Sequence, residues 1–360
     1  MGTPDTTPVS AHTPARAPVP PPGAAGGRPR ASRAWWLLYA LIALGVLLWA
    51  APRTSLYKRS LLPDMIEGTA WRPYVKRVLV PVAVRGADAL LPGAARAGLS
   101  DLVRRQPALA RRLGWPAEHT SWYALVFLVH GLSLFGFALA FRRLLERTFR
   151  VEGTTAALAA AAALALVPLH FGYQNYVYDF PTLLLFTLGL GFVAAGERTR
   201  FYLLWPIGLL DKETFVLLTL VFALRERSRL PRARLLAHVG AQIASAVAIW
   251  LALGWVFRAN PGAPLEWHLL RNLAHLPVPR QLVHDVLYAG AWVYGLLFWR
   301  EKRRTAAAAL AVGGALFATT LFFGFLGEYR DFYEAWPLLA LLAVHTTLRL
   351  AGRRPEPVPA

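Results

Sequence analysis

The sequence predicts an all-α polytopic membrane protein, and three observations lead to this fold class. Of the 360 residues, 56% are hydrophobic, and the mean hydropathy is positive, at +0.40. Several apolar runs approach or exceed the roughly 20 residues that a helix needs to cross a bilayer. These runs are continuous and do not alternate with a period of two, which argues against a membrane β-barrel. We therefore expect a bundle of about eight to ten membrane helices.

The first 33 residues differ from the rest of the chain. They are rich in Pro, Ala, Gly and Thr and show no apolar period, which predicts a disordered tail over residues 1–33. Arginines then precede the first apolar run, Ala34–Ala51. A cleaved signal peptide is the alternative, because Trp49–Ala51 resembles a cleavage site. The length of the tail and of the run favours an uncleaved membrane helix.

Further apolar runs define a transmembrane domain over residues 34–350. They are Trp122–Phe141, Thr154–Phe171, Phe180–Ala195, Phe201–Leu224, His238–Phe257, Asp285–Trp299, Ala306–Phe323 and Ala335–Leu348. The stretch 52–121 is predicted to be a large extracytoplasmic loop, and residues 351–360 a short cytoplasmic tail.

The basic residues orient this domain. The chain has 39 Lys and Arg against 20 Asp and Glu, for a net charge of +19. We interpret this excess of basic residues as a sign of membrane topology, because basic residues concentrate on the cytoplasmic side of a membrane protein. No nucleic-acid-reading motif accompanies them. With a cytoplasmic N-terminus, the following clusters lie inside: the tail, 142–150, 198–200, 225–234, 300–304 and 349–354. Nucleic acid is not an expected partner.

The run Phe201–Leu224 breaks the alternation of sides. A single crossing would place the basic clusters before and after it on opposite sides and would invert every later cluster. Two short helices, Phe201–Leu210 and Thr214–Leu224, restore the pattern if they form a re-entrant hairpin. Each half has about ten residues and rises about 15 Å, which is too short to cross the bilayer.

The tip of this hairpin carries Asp211, Lys212 and Glu213. A charge at the bilayer centre costs about 2.5–3.5 kcal/mol on insertion scales. Such residues are tolerated at depth where they are buried in protein or line a wet cavity. We therefore expect the tip to open towards the outer face.

The first outer loop contains a predicted amphipathic helix in VKRVLVPVAVRGADALL. Its apolar positions at helical spacing are Val75, Val78, Leu79, Val82 and Leu90. This pattern predicts a helix lying on the outer membrane surface; a short buried span over 73–91 is the alternative. A second amphipathic segment is predicted around Leu99–Leu113.

Polar side chains from separate outer segments form the predicted site. The first outer loop contributes Asp64 and Glu67 as candidate catalytic acids. The candidate substrate-binding residues are Arg72, Tyr173, Tyr178, Asp179, Asp211, Lys212, Glu213, Glu328 and Arg330. Acids and bases from several segments on one membrane face are typical of a functional site.

Each candidate also has a structural interpretation. Tyrosines at outer turns commonly anchor helices at the interface, and Asp179 before Phe-Pro suits a helix N-cap. The three tip charges are able to neutralise one another. His268 and His275 have the spacing of metal ligands, but no further ligand set accompanies them. No metal site is predicted, and a requirement for a divalent metal is left open.

Four features together resemble the GT-C superfamily of polyprenyl-phosphate-sugar glycosyltransferases, over roughly residues 34–350. They are the long first outer loop with an acid soon after the first span, the stretch YVKRVLVP, the turn DKET between two short apolar pieces, and the turn GEYRDFYEAWPLL before the last span. The resemblance implies a GT-C-like helical bundle.

The resemblance also implies an activity. A sugar would move from a polyprenyl-phosphate donor to an acceptor on the extracytoplasmic face, with Asp64 or the nearby Glu67 as general base. In related proteins this loop often carries a paired acidic signature, whereas here the acids are spaced Asp64-x-x-Glu67. The implied partners are membrane lipid and the lipid-linked donor, and the composition points to a bacterial cytoplasmic membrane.

Two other functions remain open at this point. Broken helices with charges at mid-depth also occur in transporters, so a transporter or flippase for a lipid-linked or anionic substrate is the alternative. A non-catalytic membrane protein of envelope assembly is the other.

Overall fold

The computed structural model describes residues 33–172, 174–275 and 279–358. Most of the predicted disordered tail, residues 1–32, lies outside this part of the chain. The described residues form α-helices joined by short 3-10 turns and contain no β-strand, only two isolated bridges. The predicted all-α fold class is confirmed.

The helices follow the predicted apolar runs closely. In chain order they are α1 (Arg33–Ala50), α2 (Leu62–Glu67), α3 (Leu79–Leu90), α4 (Gly93–Arg105), α5 (Pro107–Leu113), α6 (Thr120–Thr148), α7 (Gly153–Ala165), α8 (Asp179–Ala195), α9 (Arg198–Asp211), α10 (Leu218–Glu226), α11 (Arg232–Val256), α12 (Leu269–His275), α13 (Pro279–Leu296), α14 (Arg303–Phe323) and α15 (Trp336–Leu350).

Five helical segments in the described residues are long and apolar enough to cross a membrane. They are Arg33–Arg53, Ala117–Thr148, Gly153–His170, Arg232–Val256 and Trp299–Phe323, and α8 is a shorter apolar helix. Large apolar side chains of these segments point outward, such as Leu37 and Leu41 of α1 and Leu251 and Trp255 of α11. Apolar faces of this extent are compatible with a multi-pass membrane protein, in which lipid covers them.

Two hydrophobic cores hold the bundle together. The larger one packs α1, α6, α7, α8 and α15 around rings such as Phe137, Phe141 and Phe186. The smaller one lies beneath the first outer loop and contains Leu62, Val84 and neighbouring apolar side chains. The loop therefore packs on the bundle as an ordered layer.

The predicted amphipathic helix is present as α3, but it buries a different face. Val80 and Val84 are buried, whereas Val82 and Leu90 are exposed. Because α3 packs against α2 and α6, Val80 and Val84 face the protein and Val82 and Leu90 of the predicted stripe face outward. Val75 of the predicted stripe lies before α3 and is buried. The spacing found the helix and missed the second apolar face.

The segment 198–226 forms a helical hairpin. Arg198, at the start of α9, makes an ion pair with Glu226, at the end of α10. The rings of Phe201 and Phe222 stack with centroids 5.6 Å apart. The chain therefore turns back at Lys212. The start of α9 and the end of α10 lie at the same end of the molecule.

The hairpin divides the molecule into two ends. Contacts such as Arg147–Glu197 at 2.9 Å and Arg349–Glu301 at 3.1 Å gather the predicted cytoplasmic clusters at one end, which we name the basic end. The C-terminal residues after α15 also lie at this end, because the backbone N–H of Arg150 donates to Glu356 O at 2.8 Å. The outer loops meet at the other end, which we name the loop end.

Close packing at the hairpin requires glycine at position 208. A Cβ on Gly208 would lie 2.4 Å from ring atoms of Phe215, which belongs to the turn after the tip. The ring would have to move, because contacts this short do not occur. The absence of a side chain at Gly208 thus allows the ring of Phe215 to pack directly against the backbone of α9.

Gly208→Ala is expected to destabilise the protein by about 1–3 kcal/mol, because overpacking outweighs the better helix propensity of alanine. Thermal unfolding of the purified protein in detergent measures the effect. Gly240→Ala in α11 is the matched control, since nothing lies within 4 Å of its Cβ position. Equal stability of both variants would show that Phe215 does not pack as described.

Candidate functional site

The hairpin tip is tied to the last outer turn by a buried ion pair. Lys212 Nζ lies 2.6 Å from Glu334 Oε1, and the two residues are 4% and 0% exposed. Thr214 Oγ1 donates to the same carboxylate oxygen at 2.5 Å. The 3-10 turn Tyr329–Ala335 supplies Glu334, so the tip and this turn are fixed to each other.

A second contact ties the tip to the first outer loop. Arg77 binds Glu213 with two hydrogen bonds, Nε–Oε2 at 3.1 Å and Nη2–Oε1 at 2.6 Å. Arg77 Nη1 also donates to the hydroxyl of Tyr178. Bidentate arginine–carboxylate pairs are among the stronger and more directional side-chain contacts. Three segments distant in sequence therefore converge at the tip.

Two buried aspartates lie behind the tip. Asp211 Oδ2 is 2.5 Å from Thr182 Oγ1. Asp179 accepts the backbone N–H of Tyr176 at 2.7 Å, and its other oxygen is 3.7 Å from Arg330 Nη1. Asp179 is the first residue of α8 and bonds backward to Tyr176, so it does not act as the predicted N-cap.

Arg330 links Asp179 to the turn Tyr329–Ala335. Its Nη2 lies 2.8 Å from Glu328 and 3.7 Å from Asp331. Its guanidinium also lies over the ring of Tyr176, 4.2 Å from the centroid. One arginine thus faces three carboxylates, counting Asp179, and the surroundings of Arg330 are acidic.

Stacked tyrosines form one wall of the site. The centroids of Tyr74 and Tyr176 are 5.6 Å apart, and those of Tyr176 and Tyr178 are 5.4 Å apart with nearly parallel planes. Tyr74 comes from the first outer loop, while the other two precede α8. Tyr74 and Tyr176 line the large cavity, so two aromatic rings lie beside the charged groups of the site.

A cavity of about 360 Å³ opens beside the tip, and we name it the charged cavity. Its ionisable lining residues are Lys76, Arg77, Lys212, Glu213, Glu266, His268, Glu328, Arg330 and Asp331. Within the described residues, Lys76 makes no ion pair; its Nζ lies over the ring of Trp250, 4.2 Å from the centroid. Lys76 is therefore the lining cation best placed to meet an anionic ligand.

A larger cavity of about 1340 Å³ adjoins the charged cavity. The two share Tyr74, Phe325 and Glu328 in their walls. The large cavity extends between α13 and α14 along apolar side chains that include Trp292 and Phe317. The lining of the large cavity also contains Lys58, Arg271, Asp285 and Glu328. The site thus combines a small charged compartment with a larger one that has an apolar part along α13 and α14.

Asp331 lies in the turn between α14 and α15, outside the membrane-spanning helices. Burial raises the pKa of its carboxyl to about 6, against the lowering effect of the neighbouring Arg330. A carboxylate with a pKa near neutrality is a more effective general base than an ordinary aspartate. Asp331 lines the charged cavity. Its position and its raised pKa make it a candidate general base.

Most of the predicted site residues meet in this network. The structure brings together Tyr178, Asp179, Asp211, Lys212, Glu213, Glu328 and Arg330. The candidate site residues predicted from the sequence did not include Lys76, Arg77, Tyr176, Asp331 and Glu334, although Lys76 and Arg77 lie in the quoted stretch YVKRVLVP and Asp331 and Glu334 in GEYRDFYEAWPLL. Their neighbours in the fold come from distant segments, so no local pattern distinguished them.

Three predicted residues that the structure describes are not brought into the network. Asp64 is half-buried in α2 and Glu67 is exposed, and neither lines the charged or the large cavity. Arg72 is half-buried, and its backbone N–H donates to Pro261 O at 2.8 Å. Tyr173 lies outside the described residues. The assignment of Asp64 and Glu67 as catalytic residues stays a prediction.

The structure offers no metal cluster in the part of the chain it describes, where no three His, Asp or Glu side chains are arranged to hold an ion. His268 Nε2 lies 3.3 Å from Glu266. The side chain of His275, its predicted partner, lies outside the description.

Comparison with protein-family models, with curated proteins and with solved structures finds no match for this chain. The class supported by fold and composition is an all-helical protein compatible with a multi-pass membrane protein. Its function is inferred from the geometry of the site.

Lys212→Met is expected to destabilise the protein by about 3–5 kcal/mol, because it leaves the buried Glu334 without a counter-ion. Adding Glu334→Leu removes the second charge and should recover most of the loss. Thermal unfolding in detergent, run as a double-mutant cycle, measures the coupling.

Arg349→Met is the control for this cycle, since it breaks the more exposed pair with Glu301 at the basic end. The expected cost there is under about 1 kcal/mol. A double variant no more stable than Lys212→Met would mean that the tip does not depend on this pair.

Proposed function

We propose that the chain is an integral-membrane glycosyltransferase of the GT-C type that moves a sugar from a polyprenyl-phosphate donor to an acceptor on the extracytoplasmic face. The observation that carries the proposal is the adjoining pair of cavities, which share Tyr74, Phe325 and Glu328; one is small and charged, and the other is larger and has an apolar part between α13 and α14. A lipid-linked sugar has a charged phosphate between an apolar tail and a polar head. Such a ligand fits a charged compartment that continues into an apolar one.

The orientation follows from the two ends of the molecule. Clustered arginines favour a cytoplasmic position for the basic end, which turns the loop end and the charged cavity towards the outside. The hairpin helices have 14 and 9 residues, and each is too short to cross a bilayer. We propose that α9 and α10 form the re-entrant hairpin, in a bacterial cytoplasmic membrane.

The proposed reaction is a displacement at the anomeric carbon. A carboxylate takes the proton of the acceptor hydroxyl, and the hydroxyl oxygen forms a bond to the anomeric carbon. The bond from that carbon to the phosphate oxygen breaks, and the leaving polyprenyl phosphate keeps the electron pair. Fixed cations stabilise the charge that develops on the leaving phosphate.

Lys76 is the cation that we assign to the leaving phosphate. Lys212 and Arg330, two other cations that line the charged cavity, already have carboxylate partners at 2.6 and 2.8 Å. Lys76 lines the same cavity and has no ion-pair partner among the described residues. Its charge is therefore available to a ligand.

The test of the function uses purified protein in lipid vesicles, with cell-envelope lipids and glycans supplied as acceptors. The donors are radiolabelled polyprenyl-phosphate hexoses and pentoses, and the release of polyprenyl phosphate is measured together with sugar transfer. Lys76→Met should lower the rate about a hundredfold, as expected for losing one charge-stabilising group.

Arg104→Met is the matched control, because this exposed residue of α4 forms only a surface pair with Asp101 at 3.9 Å. Its rate should equal that of the unmodified protein. Absence of transfer from every donor would contradict the proposal, and full activity of Lys76→Met would contradict the role of Lys76.

The general base has two candidates, Asp331 from the cavity lining and Asp64 from the resemblance. If Asp331 is the base, the rate rises with pH as its carboxyl loses the proton near pH 6. Asp331→Asn should then abolish this rise and lower the rate by about 10²–10⁴-fold. The pH–rate profiles of Asp331→Asn, Asp64→Asn and Glu67→Gln, measured side by side, decide between them.

An unchanged profile in Asp331→Asn together with lost transfer in Asp64→Asn would assign the base to the first outer loop. Glu301→Gln at the basic end serves as the carboxylate control, since its side chain is exposed and pairs only with Arg349.

A second function, lipid translocation, is favoured by one further observation. A third cavity of about 860 Å³ lies towards the basic end, and it shares Leu296 and Leu310 with the large cavity. The two cavities therefore lie on either side of the same leucines. Movement of a lipid-linked sugar between leaflets in proteoliposomes, without covalent transfer, would support this alternative over the glycosyltransferase.

A further inference from the structure

The third cavity has a chemistry of its own, and we name it the basic cavity. Its lining contains Arg225, Arg227, Arg303 and Arg304, and no acidic residue among the described residues that form it. Four like charges around one cavity repel one another. Such an arrangement is favourable when an anion occupies the space between them.

The four arginines also lack the carboxylate partners that neighbouring arginines have. Within the described part of the chain none of them forms an ion pair, whereas Arg198 and Arg229 both pair with Glu226. The Nε of Arg225 is buried and has no hydrogen-bond partner among the described residues. A buried donor left unsatisfied is costly, so this atom is available to an acceptor from outside the chain.

The start of α14 adds backbone donors to the same place. Arg303, Arg304 and Thr305 form its first turn and line the cavity. The preceding Lys302 makes no side-chain capping bond, and the first turn has no acidic residue. The positive end of a helix favours anions and disfavours cations. Two arginines there are therefore unfavourable until a negative group joins them.

The interior of the basic cavity is apolar. Leu190 and Val193 of α8, Val221 of α10 and Leu338 and Leu341 of α15 form its walls. An inorganic anion would leave this part unused. A ligand with a negative headgroup and a hydrocarbon chain would use both parts.

We propose that the basic cavity binds an anionic phospholipid from the leaflet at the basic end. Its phosphate contacts Arg225, Arg304 and the first turn of α14, and one acyl chain lies between α8, α10 and α15. Basic pockets between membrane helices bind acidic headgroups by this combination of charge and apolar contact. The proposal concerns the end opposite the charged cavity and does not depend on the glycosyltransferase activity.

Native mass spectrometry and thermal unfolding of the delipidated full chain test the proposal. The added probes are phosphatidylglycerol, phosphatidylcholine, polyprenyl phosphate and inorganic phosphate. Phosphatidylglycerol should bind and raise the unfolding temperature. Arg225→Gln/Arg304→Gln should weaken its binding by about tenfold or more, at roughly 1 kcal/mol for each basic residue near the headgroup.

Two further variants keep the result interpretable. Arg232→Gln/Arg234→Gln removes two exposed arginines of α11 at the same end, neither of which lines the basic cavity, and should bind phosphatidylglycerol normally. Ala307→Phe fills the cavity from α14 and leaves every arginine in place. It should weaken phosphatidylglycerol binding and is informative even if the double arginine variant does not fold.

Several results would overturn the proposal. Equal binding of phosphatidylcholine would show that the arginines play no part. Stabilisation by inorganic phosphate as large as that by phosphatidylglycerol would indicate a site for small anions. Binding of polyprenyl phosphate without binding of phosphatidylglycerol would make the cavity a site for the isoprenoid lipid. Equal losses of phosphatidylglycerol binding in the two double arginine variants would show that general surface charge, and not the basic cavity, causes the binding.

Discussion

The buried ion pair between Lys212 and Glu334 is the constraint on which the loop end depends. Two charges this deep are tolerated because they meet at 2.6 Å and because Thr214 satisfies the carboxylate further. Desolvation would make either charge unfavourable alone. The pair fixes the hairpin tip against the turn before α15, and Arg77 then fixes the first outer loop through Glu213. These three segments enclose the charged cavity together with α11 and residues 264–268.

The charged cavity and the basic cavity differ in how their cations are paired. At the loop end, Arg77, Lys212 and Arg330 each have a carboxylate partner, so the cavity there combines acids and bases and suits proton transfer and positioning. At the basic end, four arginines around one cavity lack such partners among the described residues. That end attracts anions. Both arrangements lie beside apolar walls, which is the environment that an amphiphilic lipid requires.

The return of the chain in the segment 198–226 was predictable because basic clusters are expected to lie on one side of a membrane. The clusters at 198–200 and 225–234 required an even number of passages between them, and Arg198 does meet Glu226 in the fold. The face of α3 was not predictable in the same way. An apolar period identifies a helix, but Val80 and Val84 face the protein only because α2 and α6 happen to lie there.

By itself the sequence determined the all-α class, nearly all helix positions, the return of the chain at Lys212 and the gathering of the basic clusters at one end. These depend on hydrophobicity, charge and helix length, which are local properties or simple sums. Only the tertiary structure decided that Lys76, Tyr176 and Asp331 join the predicted residues in one site, and that Asp64 and Glu67 lie away from its cavities. Partners in a buried network come from segments far apart in the chain, and their meeting depends on how α8, the hairpin and the outer loops pack.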